Sequence, residues 1–533
     1  MTILDLPDEL LVRVFLCLHV PADLASAACA CRRFAAKEAP IGEITTFKHN
    51  EEQGEATEQT HQESDARQQA SSVRDVHRIS LPAVAARFLA TAEHPLSLHP
   101  GETWMRALQF VRLREEASRA PFSAAACKIS QVALGDGITA VVTAEGAVFT
   151  CGYNYLCKLG HADGEDRRVG CPVRELAKWR LVYASCGSFH TLFVSACGKV
   201  WASGGNASGQ LGLASAAEHV SSRPILVHPI ADKVAVQAVA GHLHSAVLTA
   251  EGEVWTWGDN TRGQLGVGDD CALSRTPVLA VPAAPSQGHS VYGKVGILAM
   301  GMNHSVAVMS DTGLVAVWGD NRHGQLGLGD RRTRYKPELL PELEKVVQCA
   351  AGAFHTALLT ATGRVLCMGS HKFGQLGVGT RTSASFLAVA EEVVWDLSWG
   401  RATQVCCGNF HTMAATEHGQ AFCWGGNNCF QLGRQTRGAS IASLPEHLCL
   451  GVGRQHFKVI RVAAGALHSA VFTRCGRVLT FGRGAYGSLG LGPDLQISPY
   501  PSPMHMCNCA ANCKGVCQPG APMYEEPSTF GSP

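Results

Sequence analysis

The sequence predicts a mainly β chain: a seven-bladed β-propeller preceded by a small α-helical module and a linker helix. Three observations predict it. One block of sequence recurs seven times, each copy alternates apolar and polar residues at strand spacing, and the first forty residues switch to helical spacing.

The repeat is clearest in GHLHSAVLTAEGEVWTWGDNTRGQLGVG, Gly241 to Gly268. Related blocks start at Cys186, Met300, Ala351, Cys407 and Ala464, and a weaker one at Leu134. Their first glycines are Gly135, Gly187, Gly241, Gly301, Gly352, Gly408 and Gly465, so the steps are 52, 54, 60, 51, 56 and 57 residues. Such a period over alternating apolar positions points to repeated small sheets.

Within one copy, Ser245 to Thr249 and Val254 to Trp257 read as a hairpin turning at Gly252. A strand at Lys233 to Val239 precedes it, and a proline-bounded extended piece at Thr276 to Val281 follows. Four strands per unit is the count of a propeller blade.

The repeat also bears on the residues that look catalytic. His190, His244, His304, His355, His411 and His468 each stand three residues after a first glycine, where the first copy has Ile138. Catalysis needs such a group once, so a histidine in six blades reads as a packing and hydrogen-bonding element. His242 occurs in one blade only and, with no third ligand recognisable nearby, reads as a loop residue rather than a metal ligand. The Gly-Gln-Leu-Gly segment lies between strands with no Lys-Ser/Thr after it, so it is no phosphate loop.

Gly-x-x-His-Ser/Thr, then Gly-x-Val-x-x-Trp-Gly, then Gly-Gln-Leu-Gly resembles the repeat of the regulator of chromosome condensation, over about Cys127 to Gly492. That resemblance implies a seven-bladed propeller, but not one function, because the fold serves exchange factors, a light receptor and ubiquitin-ligase subunits alike. Light reception in the family depends on tryptophans just after certain first glycines. The residues here are Ser188, His242, Met302, Ala353, Asn409 and Ala466, while Trp255, Trp257, Trp318 and Trp424 are placed to pack between sheets. A chromatin role calls for a cationic face. The one dense basic loop is DRRTRYKPE, Asp330 to Glu338, which reads as a solvated connection. Guanine-nucleotide exchange on a small GTPase is the alternative the resemblance leaves open, although no residue maps onto it.

At the N-terminus, Leu10, Leu11, Val14, Phe15 and Leu18 fall at helical spacing behind Leu6-Pro7. Pro21 stops that helix, and Asp23 can cap a second that carries Leu24, Ala28 and Cys31. This pattern, with Cys31-Arg32-Arg33-Phe34, resembles an F-box. The resemblance implies docking on a Skp-type adaptor that leads to a cullin, with Leu6, Pro7, Leu10, Leu11 and Phe15 as the contact candidates. About forty residues bury too little to be stable alone, which fits a docking module. The chain then reads as a non-catalytic substrate-recruiting adaptor of a cullin-type ubiquitin ligase, its target held on the propeller face, without a cofactor.

The remaining boundaries follow composition. Residues 1–40 form the F-box-like module and 41–99 a mostly disordered linker, whose stretch from Thr45 to Ser72 is nearly free of apolar residues. A helix from about Glu102 to Arg119 lies within 100–125, the propeller spans 126–495, and 496–533 is a proline- and cysteine-rich flexible tail. Cys507, Cys509, Cys513 and Cys517 are weak metal candidates, because intervals of one and three residues match no standard zinc module. With Lys+Arg 45 against Asp+Glu 44, nothing global draws the chain to nucleic acid. The first twenty residues carry Asp5, Asp8 and Glu9 where a secretory leader would be basic and apolar, and no apolar run nears the roughly 20 residues of a membrane span. A soluble cytoplasmic or nuclear protein whose 22 cysteines are mostly reduced is the expectation.

Overall fold

A computed structural model describes residues 129–214, 218–282, 293–341, 343–379, 384–434, 440–450, 457–493 and 495–506. They form seven antiparallel four-stranded sheets, each made of four consecutive strands. The blades span 129–172, 181–226, 235–281, 295–339, 346–392, 402–447 and 459–503. Three candidates lie outside the described residues: the F-box-like module, the 102–119 helix and the four tail cysteines.

Blade 3 shows how sequence becomes sheet. Its strands are Ala235–Ala240, His244–Thr249, Val254–Asp259 and Leu273–Val281, each offset by a few residues at most from the sequence expectation. The second strand, HSAVLT, is buried throughout, because both of its faces meet neighbouring blades. Its alternation is therefore of side-chain size as much as of polarity. The first strands of all seven blades line a central channel of about 350 Å³, so the later strands of each blade stack outward from it.

Gln131, Gln237 and Gln404 stitch these innermost strands together. Gln237 Nε2 donates to Leu298 O at 2.8 Å while its Oε1 accepts from Leu298 N at 3.0 Å. Gln131 with Ala184, and Gln404 with Val462, repeat the pair. Each glutamine thus satisfies a backbone donor and acceptor that the channel would otherwise leave to water.

The ring closes without exchanging a strand between its ends. Instead Ala466 N donates to Gly135 O at 3.1 Å, Arg461 reaches Ser130 O at 3.1 Å, and Gly170 N donates to His505 O at 2.9 Å. Met504 and Met506, both buried, pack with Ile129, Val141 and Phe472 across the same junction. This corrects the boundary at residue 495, since Ile497–Pro503 is the outermost strand of blade 7 and the chain stays on the propeller to Met506. Its prolines suggest a flexible tail, yet an edge strand tolerates proline because half of its N–H groups face solvent.

Among the described residues no helix is long and apolar enough to cross a membrane.

Candidate partner-binding face

The six histidines are fully buried and link neighbouring blades. His304 Nε2 lies 3.0 Å from the Thr356 hydroxyl of the next blade, which itself donates to Gln325 O at 2.7 Å. The same relay joins His355 to Thr412 at 2.9 Å, His411 to Ser469 at 2.8 Å, His190 to Ser245 at 2.7 Å, and His468 to Thr139 at 3.0 Å across the ring closure. His244 to Ser305, at 3.5 Å, is the loosest.

Because each hydroxyl proton goes to a carbonyl, the ring must donate through Nε2–H. Burial favours that neutral form, lowering His190, His355 and His411 to about 3 and His304 and His468 to about 4. A neutral imidazole spent on a relay of this kind is a fastener between blades. Trp257, Trp318 and Trp424 add a second bond to the same carbonyls, their indoles donating to Gln210, Gln264 and Gln375 O at 2.8, 2.9 and 3.0 Å. These three pack between sheets as expected. Trp255 does not fully do so: nearer the opposite rim it is half-buried, donating to Glu253 with Lys233 over its ring.

Blade 1 tests the relay by omission. Ile138 replaces its histidine, and the Thr191 hydroxyl it would have met has no hydrogen-bond partner among the described residues. Thr191→Val is therefore expected to leave stability unchanged within about 0.5 kcal/mol. Thr356→Val should cost about 2 kcal/mol, because it strands a buried imidazole N–H and a carbonyl. Chemical denaturation of the two variants side by side checks this.

Antiparallel order brings the loops after the first and third strands of every blade to one face, and several blades place aromatic side chains there. Phe189 meets His242 edge-on at 5.1 Å, and His242 Nδ1 lies 2.9 Å from Ser188 Oγ. His242 is thus a loop residue, as expected. Phe410 lies 5.0 Å from Phe373 and 6.4 Å from Phe354, which meets His323 at 5.0 Å. Across the closure, Tyr153 stacks on Tyr486 at 4.2 Å and on Tyr155 at 5.7 Å. Half-buried aromatics of this kind are enriched in protein interfaces.

The residues after the first glycines, including Ser188, His242, Met302 and Asn409, border the channel mouth on this face. The basic loop leads into the outermost strand of blade 4, Arg334–Leu339, with its charge partly engaged. Arg334 pairs with Asp330 at 2.9 Å and also with Glu338, and Arg331 lies over the Phe386 ring at 4.8 Å. Sequence reasoning missed the aromatic clusters, whose members come mostly from different blades; aligning the copies would have shown Phe189, Phe354 and Phe410 at one repeat position, just before the blade histidine.

Among the described residues no group of three His, Cys, Asp or Glu could hold a metal ion, and every cysteine is a free thiol.

Comparison with known proteins agrees with this geometry. A family model for the RCC1-like domain matches residues 217–518, one for the regulator of chromosome condensation repeat matches 145–194, and an F-box-like model matches 3–36. The ultraviolet-B receptor UVR8 of Arabidopsis thaliana is 30% identical over 342 residues, covering 63% of this chain and 73% of its own. The E3 ubiquitin-protein ligase HERC2 of Homo sapiens is 31% identical over 354 residues, 65% of this chain but only 7% of that protein. Among solved structures, human WBSCR16 aligns with a TM-score of 0.56 at 24% identity, over 64% of this chain and 86% of that one. Prp20p of Saccharomyces cerevisiae aligns with a TM-score of 0.58 at 22% identity, over 68% and 87%. At those identities both structures support the fold alone. With one family model matching more than half of its length, this chain belongs to the RCC1-like domain family, and it carries an F-box-like segment ahead of its propeller.

Proposed function

We propose that the protein is a substrate-recruiting adaptor of a cullin-type ubiquitin ligase. Its F-box-like segment docks on a Skp-type adaptor, and the aromatic face of the propeller holds the protein to be modified. The observation that carries this reading is the order of the two parts, an F-box-like segment at residues 3–36 followed by a closed ring of blades with an aromatic-rich face. Support comes from two relatives, one named E3 ubiquitin-protein ligase HERC2 and the other named Probable E3 ubiquitin-protein ligase HERC6. Since the chain matches only 7% and 29% of those proteins, the shared part is the propeller and the ligase chemistry would be supplied by the complex.

The chain's own residues have no reaction to perform in this role. Leu6, Pro7, Leu10, Leu11 and Phe15 would supply the apolar contact with the adaptor, and the propeller would fix the distance and orientation of the target. Tagged full chain purified from cells should bring down the Skp-type adaptor and a cullin, and Leu10→Asp or Phe15→Ala should lose both. A wild-type chain that captures neither, while speeding nucleotide release from a small GTPase, would replace this reading with the exchange-factor one.

A further inference from the structure

Lys158 breaks the repeat at a position where the other blades use an uncharged side chain. The residue before the leucine of the Gly-Gln-Leu-Gly loop is Gln210, Gln264, Gln325, Gln375 or Gln431, and Ser488 in blade 7. Each glutamine folds back on its own loop, as Gln264 Oε1 does in accepting from Arg262 N at 2.8 Å. A lysine cannot accept, so Lys158 turns elsewhere. Its Nζ donates to the carbonyl oxygens of Asp136 and Ser188, the latter at 3.0 Å, and lies 5.6 Å from the centre of the Tyr153 ring.

The residue is only 2% exposed, and burial lowers its pKa against the weaker opposing pull of Asp136 and Asp166. Among the described residues no carboxylate lies within ion-pair distance of it; that of Asp166 accepts from Asn154 N. Two of its three N–H donors are used by protein carbonyls, which leaves a buried cation with a spare donor and no carboxylate in ion-pair contact.

Lys158 lines a cleft of about 210 Å³ together with Tyr153, Tyr155, Tyr486, Phe189 and Arg483, and with Asp136 as the one carboxylate among the lining residues. Tyr155 and Tyr486 remain 51% and 48% exposed at its mouth. The backbone on both sides is held in the left-handed region by residues with side chains: Leu156 at φ 57°, Cys157 at 59° and Tyr486 at 62°. A left-handed residue at the position of Cys157 belongs to the repeat, as Gly263 in blade 3 and Phe430 at φ 60° in blade 6 show, whereas Leu156 and Tyr486 are left-handed only at this corner among the described residues. The volume is too small for a nucleotide-sized ligand and suits one inserted side chain.

We propose that this cleft receives the oxyanion of one acidic side chain of a partner protein, a carboxylate or a phosphoryl group, against Lys158 and Arg483, with an adjoining aromatic residue stacked on Tyr155 and Tyr486. The inference rests on the reading of this face as the partner-binding surface.

The test uses the full chain and short dye-labelled Gly-Ser peptides in which a phenylalanine adjoins one central glutamate, phosphoserine or glutamine. The glutamate or phosphoserine peptide should bind at least about tenfold more tightly than the glutamine peptide. Which of the two binds better identifies the carboxylate or the phosphoryl group as the ligand. Lys158→Gln installs the repeat's own residue, so thermal unfolding should be unchanged while the discrimination disappears; Tyr486→Ala should weaken all binding. Equal or undetectable binding of the three peptides, discrimination that survives Lys158→Gln, or a preference for oligonucleotide over peptide would overturn the proposal. If that happens while the adaptor and cullin are still captured, the cleft assignment falls alone. Loss of adaptor capture with peptide discrimination intact overturns the ligase reading and leaves the cleft standing.

Discussion

Lowering the pH from about 7.5 to about 5.5 should remove on the order of 7 kcal/mol of unfolding free energy from the propeller. The source is the inter-blade relay. In the folded chain His190, His355 and His411 titrate at about 3 and His304 and His468 at about 4, while His244 is also held well below its ordinary value, all because burial disfavours the imidazolium. In the unfolded chain each returns to about 6.5. Above that value both states are neutral and the full stability is present. Below it the unfolded chain takes up protons that the folded chain refuses, so stability falls with pH until the folded values are reached. Each of the first five contributes about 1.4 kcal/mol by pH 5.5, about 7 kcal/mol together and comparable to the total stability of an ordinary domain, and His244 acts in the same direction. His161, lowered to about 4 by burial and by Arg167, acts in the same direction. Denaturant unfolding followed by fluorescence of the buried Trp257, Trp318 and Trp424 measures it; a flat stability over this range would mean that the imidazoles take up protons without unfolding.

Gly352→Ala should cost about 3 kcal/mol or more, among the largest single losses available in the ring. An alanine Cβ there would sit 2.3 Å from His355 Cε1 and 2.4 Å from Gly408 O of the next blade. Neither can retreat, since the imidazole is fixed by Thr412 and the carbonyl belongs to the neighbouring blade's own first glycine. The blades would have to part or the relay would have to break. Gly293→Ala is the matched control, because nothing lies within 4 Å of its added Cβ, and it should stay within about 0.5 kcal/mol of wild type. Equal melting temperatures for the two variants would contradict the close packing of blade 5 on blade 6.

Repetition made most of the fold readable in advance. Seven first glycines gave seven blades, and a histidine recurring in six of them could be assigned to structure before any contact was known. The partner of that histidine was hidden, because it lies in the next blade; His304 and Thr356 are 52 residues apart. The last strand was misplaced because Pro499, Pro501 and Pro503 resemble a linker in one dimension and become acceptable only once Ile497–Pro503 is known to be an edge. Lys158 was visible as an odd residue among glutamines, but its lack of an ion-pair contact and its tyrosine surroundings depend on blades 1, 2 and 7 meeting at the closure. The F-box-like residues lie outside the described residues, so their role rests on the sequence pattern and the family match.

The most direct test of the central claim is the affinity of the purified full chain for a purified Skp-type adaptor. The wild-type chain should bind saturably, and Leu10→Asp should weaken binding by about a thousandfold or more, the scale of losing one buried leucine contact, while the propeller's thermal unfolding stays where it was. A wild-type chain that does not bind the adaptor, or a Leu10→Asp chain that binds it equally well, would contradict the account.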